Sequence, residues 1–148
     1  MRTSSFLVLF FACLTSQAHD KHISLVTVSD GAGRGRVQLS VKMSQPDYLS
    51  CSAAGKDGFA QWLRQQLIVS GGSGAADLQM VQLIWGNEIK ALFVAQIGDS
   101  AASVKLRSTL LTSCIPSHKT IVTAQLNGDN YGQILTVQTD SCVFPLRK

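Results

Sequence analysis

Residues 36–43 place Val37, Leu39, Val41 and Met43 in strict alternation with Arg36, Gln38, Ser40 and Lys42. A period of two puts four apolar side chains on one face of an extended chain and four polar ones on the other, which no helix accommodates. The segment is therefore expected to be a half-buried strand, and its apolar face demands a second layer to cover it. Residues 22–28 read as its hairpin partner, with Ile23 and Leu25 in one phase and Val26 and Val28 in the other. Asp30-Gly31-Ala32-Gly33-Arg34-Gly35 then forms a glycine-rich tip between them.

Further strands are expected at 78–85, 88–97, 104–111, 120–126 and 133–139. They are punctuated by Gly86-Asn87, Gly98-Asp99-Ser100, Pro116 and Asn127-Gly128-Asp129-Asn130. A different period appears at 57–69, where Phe59, Trp62, Leu63 and Leu67 share one helical face. Asp57 is placed to cap this segment and Gly71-Gly72 to end it. Gln61, Arg64 and Gln65 then face solvent, and residues 70–76 form a small-residue loop. These elements predict an α+β or mainly β fold, an antiparallel meander sheet of about seven strands with one amphipathic helix packed on it. A small closed β-barrel is the alternative. With 148 residues and no internal repeat, the chain reads as one domain.

The first residues differ in kind. Arg2 precedes an apolar run from Phe6 to Leu14, and Ser16-Gln17-Ala18 supplies the small residues that a signal peptidase reads. Residues 1–18 are expected to be a secretory signal and 19–148 a single β-rich domain. The run is too short for a membrane span, so the mature protein is expected to be secreted or periplasmic, with no membrane span. Cys13 admits a second reading, as the lipid-bearing first residue of a lipoprotein.

Export leaves Cys51, Cys114 and Cys142, an odd number, and hence one internal bridge with one thiol left over. Cys114 and Cys142 flank an expected hairpin and are the pair favoured here, a closure that stabilises by about 3–4 kcal/mol. Pairing of Cys51 with either partner stays open. A free Cys51 would be a buried structural thiol or the link of a covalent homodimer.

The net charge of +4 is spread thinly, with no basic stripe interleaved with aromatics, which argues against a nucleic-acid partner. Glu88 is the only glutamate, and no two carboxylates sit together in an apolar stretch, so a glycosidase pair has no candidates. Nucleophile pairs can be written on paper from a free Cys51 with His118 or His22, or from Ser113 with His118, but none lies in a nucleophile motif. Gly31, Gly33 and Gly35 suggest a phosphate loop. Such a loop must be followed by a helix, and here a strand follows, so a hairpin tip is the reading kept.

Cleavage after Ala18 would make His19 the terminal residue, able to chelate copper through its amine and ring, with His22 or His118 as a second ligand. In this one residue the chain resembles the secreted copper oxygenases of the lytic polysaccharide type, which implies a copper-binding oxidoreductase or metal carrier. The ordinary reading of His19 and His22 is a solvated chain end. Trp85, Tyr48, Tyr131 and Phe144 fall at strand ends or turns, where an aromatic anchors a partner or caps the core. The expected function is a non-catalytic binding protein without a cofactor, of inhibitor, immunity, adhesion or effector type. It would contact another protein or cell-surface macromolecule through Arg34, Arg36, Trp85 and Tyr131. The contact surfaces would be the loops at 30–36 and 70–76 and the turn at 127–131.

Overall fold

The computed structural model describes residues 22–72 and 74–146. The expected leader, Cys13 and His19 lie outside them. The elements run β1 (Ile23–Asp30), β2 (Arg36–Ser44), α1 (Gln45–Cys51), α2 (Phe59–Gln66), β3 (Leu67–Gly71), β4 (Gly74–Ala75), β5 (Leu78–Ile84), β6 (Glu88–Gln96), β7 (Ser103–Ser108), β8 (Lys119–Leu126), β9 (Asp129–Leu135) and β10 (Ser141–Pro145). Strands dominate, so the fold is mainly β, and it is not a closed barrel. Six strands form one sheet in the order β5-β6-β2-β1-β8-β9, and four form a second in the order β10-β7-β3-β4.

The period-two pattern explains how the two layers meet. In β2, Val37, Leu39, Val41 and Met43 are all buried, and in β6 Ile89, Ala91, Phe93 and Ala95 are. β1 turns its Val26 and Val28 phase inward and leaves Leu25 outward. The smaller sheet supplies Leu67 and Val69 of β3, Val104 and Leu106 of β7 and Phe144 of β10, and the two apolar faces share one core. Fully burying one such side chain contributes about 1.5–3 kcal/mol, so the paired faces hold the sandwich closed.

The meander expectation fails at two places. β6 leads into β7 in the other sheet, and β8 returns to lie parallel to β1, with Val26 beside Val122. Alternation in a sequence identifies the face a strand buries, not the strand beside it. A chain that crosses to the second layer and back can return in parallel. The expected helix over 57–69 stops at Gln66, because Leu67 to Ser70 pair with β7 instead. Gly58, not Asp57, occupies its N-cap, with no side chain capping it. The 70–76 segment, expected to be a loop, carries the two-residue strand β4.

The disulfide also departs from expectation: Cys51 is joined to Cys114, not Cys114 to Cys142, with Cα atoms 5.7 Å apart. Cys142 lies on β10 opposite Leu106 of β7 and is buried as a free thiol. Burial alone pushes it up to about 11. Cys114 sits in the crossing segment between β7 and β8, which passes the end of α1 where Cys51 lies. Because Cys51 is already bridged, a dimer linked through it would require this bridge to open.

Helix α1 has no counterpart in the sequence expectations. Ser44 caps it by accepting from the Asp47 amide at 3.4 Å, and Pro46 stands in its first turn. It delivers Tyr48 fully buried into the core, where the ring meets Trp62 edge-on at 4.8 Å, Phe59 at 5.2 Å and Trp85 at 5.8 Å. The Tyr48 hydroxyl donates to the Gly55 carbonyl at 2.8 Å, so its polar end is satisfied as well.

Candidate functional site

The end of the sandwich where β1, β6 and β8 finish is made of three connections: residues 31–35, residues 97–102 and the turn at Asn127-Gly128. Each is tied to another by a hydrogen bond. The Gly31 amide donates to the Arg36 carbonyl at 3.0 Å, which closes the first hairpin. The Ile97 amide donates to the Gly35 carbonyl at 2.7 Å, joining the first connection to the second. The Asn127 amide donates to the Asp30 carboxylate at 2.8 Å, joining the third. Gly35 has φ +67°, and a Cβ there would lie 2.6 Å from both Asp99 Oδ1 and the Gly98 carbonyl carbon. Only glycine permits that approach.

Between these connections lies a groove of about 380 Å³, lined by Asp30, Arg34, Arg36, Asp99 and Asn127 together with the loop glycines. Arg36 Nε donates to Gln96 Oε1 at 3.0 Å, and Gln96 Nε2 donates to the Arg34 carbonyl at 3.3 Å, so one carboxamide orients both arginine positions. Among the described residues, no carboxylate lies within ion-pairing distance of either guanidinium. The groove therefore presents two exposed guanidinium groups, that of Arg36 held at its Nε by Gln96, a donor chemistry that suits carboxylate or other oxyanion acceptors.

The residues singled out from the sequence divide between places. Arg34 and Arg36 line the groove. From the 70–76 segment, Gly71 stands directly behind it, where an added Cβ would lie 2.5 Å from the Ile97 carbonyl. Tyr131 is half-buried on β9, its ring 5.8 Å from Phe144 and its hydroxyl 3.4 Å from Asp129 Oδ2, so it closes the seam between the sheets. Trp85 belongs to the aromatic group around Tyr48, at the far end from Arg34.

That far end holds His22 and His118. His22 Nδ1 is 2.9 Å from Asp47 Oδ1, at the start of α1. His118 is fully buried, its Nε2 sharing a hydrogen bond of 2.8 Å with Ser24 Oγ, and its Nδ1 has no partner among the described residues. Burial holds the His118 pKa below the ordinary histidine value of 6.5. The Asp47 carboxylate opposes that shift and His22 adds to it. Neither written nucleophile pair is assembled: Cys51 is in the disulfide, and His118 is bonded to Ser24, which is itself fully buried. Among the described residues, no three His, Cys, Asp or Glu side chains converge to hold a metal ion. A copper site built on the terminal amine would depend on His19, outside those residues.

Of the other walls of the groove, Asn127 belongs to the turn expected as a contact surface, whereas Asp99 was not among the expected contacts. The only sequence signal for Asp99 is that Gly98-Asp99 is a turn, and a turn alone does not say which loops meet. No protein-family profile matches the chain, and no curated protein is significantly similar to it.

Proposed function

We propose that this chain is an exported, non-catalytic binding protein of the inhibitor, immunity, adhesion or effector type, which engages another protein or cell-surface macromolecule through the loop end of its sandwich. The observation that carries the reading is the groove: three connections pinned to one another, presenting Arg34 and Arg36 without a carboxylate partner among the described residues. A fixed surface loses little conformational entropy on association, and guanidinium forks suit carboxylates on a partner. The internal Cys51–Cys114 bridge suits an oxidising compartment. No helix among the described residues is long and apolar enough to cross a membrane.

The test replaces Arg34 and Arg36 with alanine together and compares partner capture with the unaltered chain. Capture should be lost at an unchanged melting temperature, and unchanged capture removes this loop from the interface. An intact mass of the exported protein without reductant examines the other half of the reading. A chain starting at His19 and two hydrogens light supports it, whereas a copper adduct on that terminus would favour the metal-carrier function instead.

A further inference from the structure

A backbone amide that follows an asparagine or aspartate can attack that residue's own side-chain carbonyl. Glycine is the follower that hinders the attack least, since no Cβ shields its nitrogen. The chain has three such pairs, Asp30-Gly31, Asp57-Gly58 and Asn127-Gly128. The attacking nitrogen must first lose its proton, and an N–H already donated to a carbonyl is held back from doing so. Gly31 donates to the Arg36 carbonyl at 3.0 Å, and Gly58 to the Ala54 carbonyl at 3.3 Å. The Gly128 amide donates to nothing among the described residues.

The shape of the turn explains the difference. β8 and β9 close with Leu126 opposite Asp129, which leaves Asn127 and Gly128 as a two-residue connection with both φ positive, 52° and 82°. In a hairpin turn of this kind the amide of the second residue lies outside the ladder. Both residues are exposed, and a Cβ added to Gly128 would meet nothing within 4 Å, so there is room for a ring to close over the tip. Closure turns Asn127 out of its left-handed conformation, a motion open to an exposed two-residue tip. Asn127 also carries the better electrophile, because its carboxamide is uncharged, whereas the carboxylates of Asp30 and Asp57 repel an anionic nitrogen.

We infer that Asn127 is a site of self-modification by deamidation, and that its conversion adds a negative charge to the loop groove. The Gly128 nitrogen bonds to Asn127 Cγ and the side-chain nitrogen departs as ammonia, carrying the proton that the amide gave up. Water then opens the cyclic imide at either carbonyl. One opening gives an aspartate with the chain path kept, and the other an isoaspartate whose main chain runs through the former side chain. The sum is one water taken up and one ammonia released, with no oxidant or cofactor. Asn127 lines the groove with Asp30, Arg34 and Arg36, and its own amide donates to the Asp30 carboxylate at 2.8 Å. Either product adds a carboxylate to that wall, and isoaspartate also lengthens the main chain at the residue this bond pins. The modification does not rest on the function proposed above, which bears only on whether the new charge weakens capture of an acidic partner.

Peptide mapping of the folded full chain after incubation at mildly alkaline pH tests this, beside the same chain incubated in urea with its bridge reduced. In the folded chain, Asn127 should convert to a mixture of aspartate and isoaspartate at least about tenfold faster than Asn87 or Asn130, which precede Glu88 and Tyr131. Positions 30 and 57 should carry no isoaspartate there. In the unfolded chain, where the Gly31 and Gly58 amides are released, isoaspartate should appear at both. Asn127→Gln, whose longer side chain closes the ring far more slowly, should abolish the more acidic band that isoelectric focusing of the incubated chain reveals. An Asn127 that stays intact in the folded chain while converting in urea would show that the turn protects it, and would overturn the inference. Isoaspartate forming at 30 or 57 in the folded chain as fast as at 127 would overturn it too, since the bonded amides would then give no protection.

Discussion

At the end where β1, β6 and β8 begin, Cys51 is bridged to Cys114, Tyr48 is packed among Phe59, Trp62 and Trp85, and His118 is buried against Ser24. At the end where the same strands finish there is no aromatic cluster of this kind among the described residues. Glycine turns there are held by hydrogen bonds from the Gly31, Ile97 and Asn127 amides around a polar groove, with Arg34 and Arg36 at its rim. The first end is stabilised by a covalent link and by burial, and both act over many residues. The second is shaped by a few close approaches that contribute little to overall stability but fix the geometry of a surface. Changes at the two ends should therefore separate in their consequences.

The largest effect is expected from the bridge. Replacing Cys51 and Cys114 with serine together opens a loop spanning 63 positions and should lower the unfolding free energy by about 4 kcal/mol in urea titrations. The fraction that remains folded should still bind its partner. A loss under about 1 kcal/mol would show that the aromatic cluster holds this end without the link.

Gly35→Ala should come next. It places a Cβ against Asp99 and Gly98 at a positive φ, at a cost of about 1–3 kcal/mol. It should disturb amide chemical shifts at residues 97–101 while leaving those around Tyr48 unmoved. Shift changes spread through both ends would deny that the loop end is a separate unit.

A third effect depends on pH. His118 has a folded pKa below its ordinary value, so the unfolded chain takes up a proton at a pH where the folded chain resists it. The stability this contributes is fully present above about pH 6.5 and is lost as pH falls below it. Denaturation midpoints should drop on acidification through that window, and His118→Leu should flatten the slope whatever it does to the midpoint at neutral pH. An unchanged slope would mean that burial of His118 does not govern the acid response. The smallest effect on stability is expected for Arg34→Ala with Arg36→Ala, within about 0.5 kcal/mol, even though this pair should abolish partner capture.

The sequence was most informative where a single face decides the structure. β2 carries its apolar residues in strict alternation, and it lies where that pattern puts it. It was ambiguous at Leu67 to Val69, where Leu67 continues the helical spacing of Phe59 and Leu63. The β-branched pair Ile68-Val69 suits a strand equally well, and contact with β7 decided the outcome. It was uninformative about neighbours. The parallel pairing of β8 with β1 and the meeting of Cys51 with Cys114 both depend on a chain path through two layers, which no local pattern encodes. The same limit applied to the groove. Arg34 and Arg36 were recognisable as loop cations, but Asp99 and Asn127 are brought to them by strands far apart in the sequence. Helix α1 left one trace, Ser44 and Asp47 around Pro46, which is a capping signal without the apolar repeat that normally accompanies it.

The central claim is that partners bind at the loop end, and site-specific photo-crosslinking tests it most directly. A photoreactive residue would be placed at position 34 in one chain and at position 113, exposed beside the disulfide, in another. Cross-linking to the partner from position 34 and none from position 113, with both chains melting alike, is the predicted result. Cross-linking from position 113 with none from position 34 would place the partner at the bridged end and contradict the account.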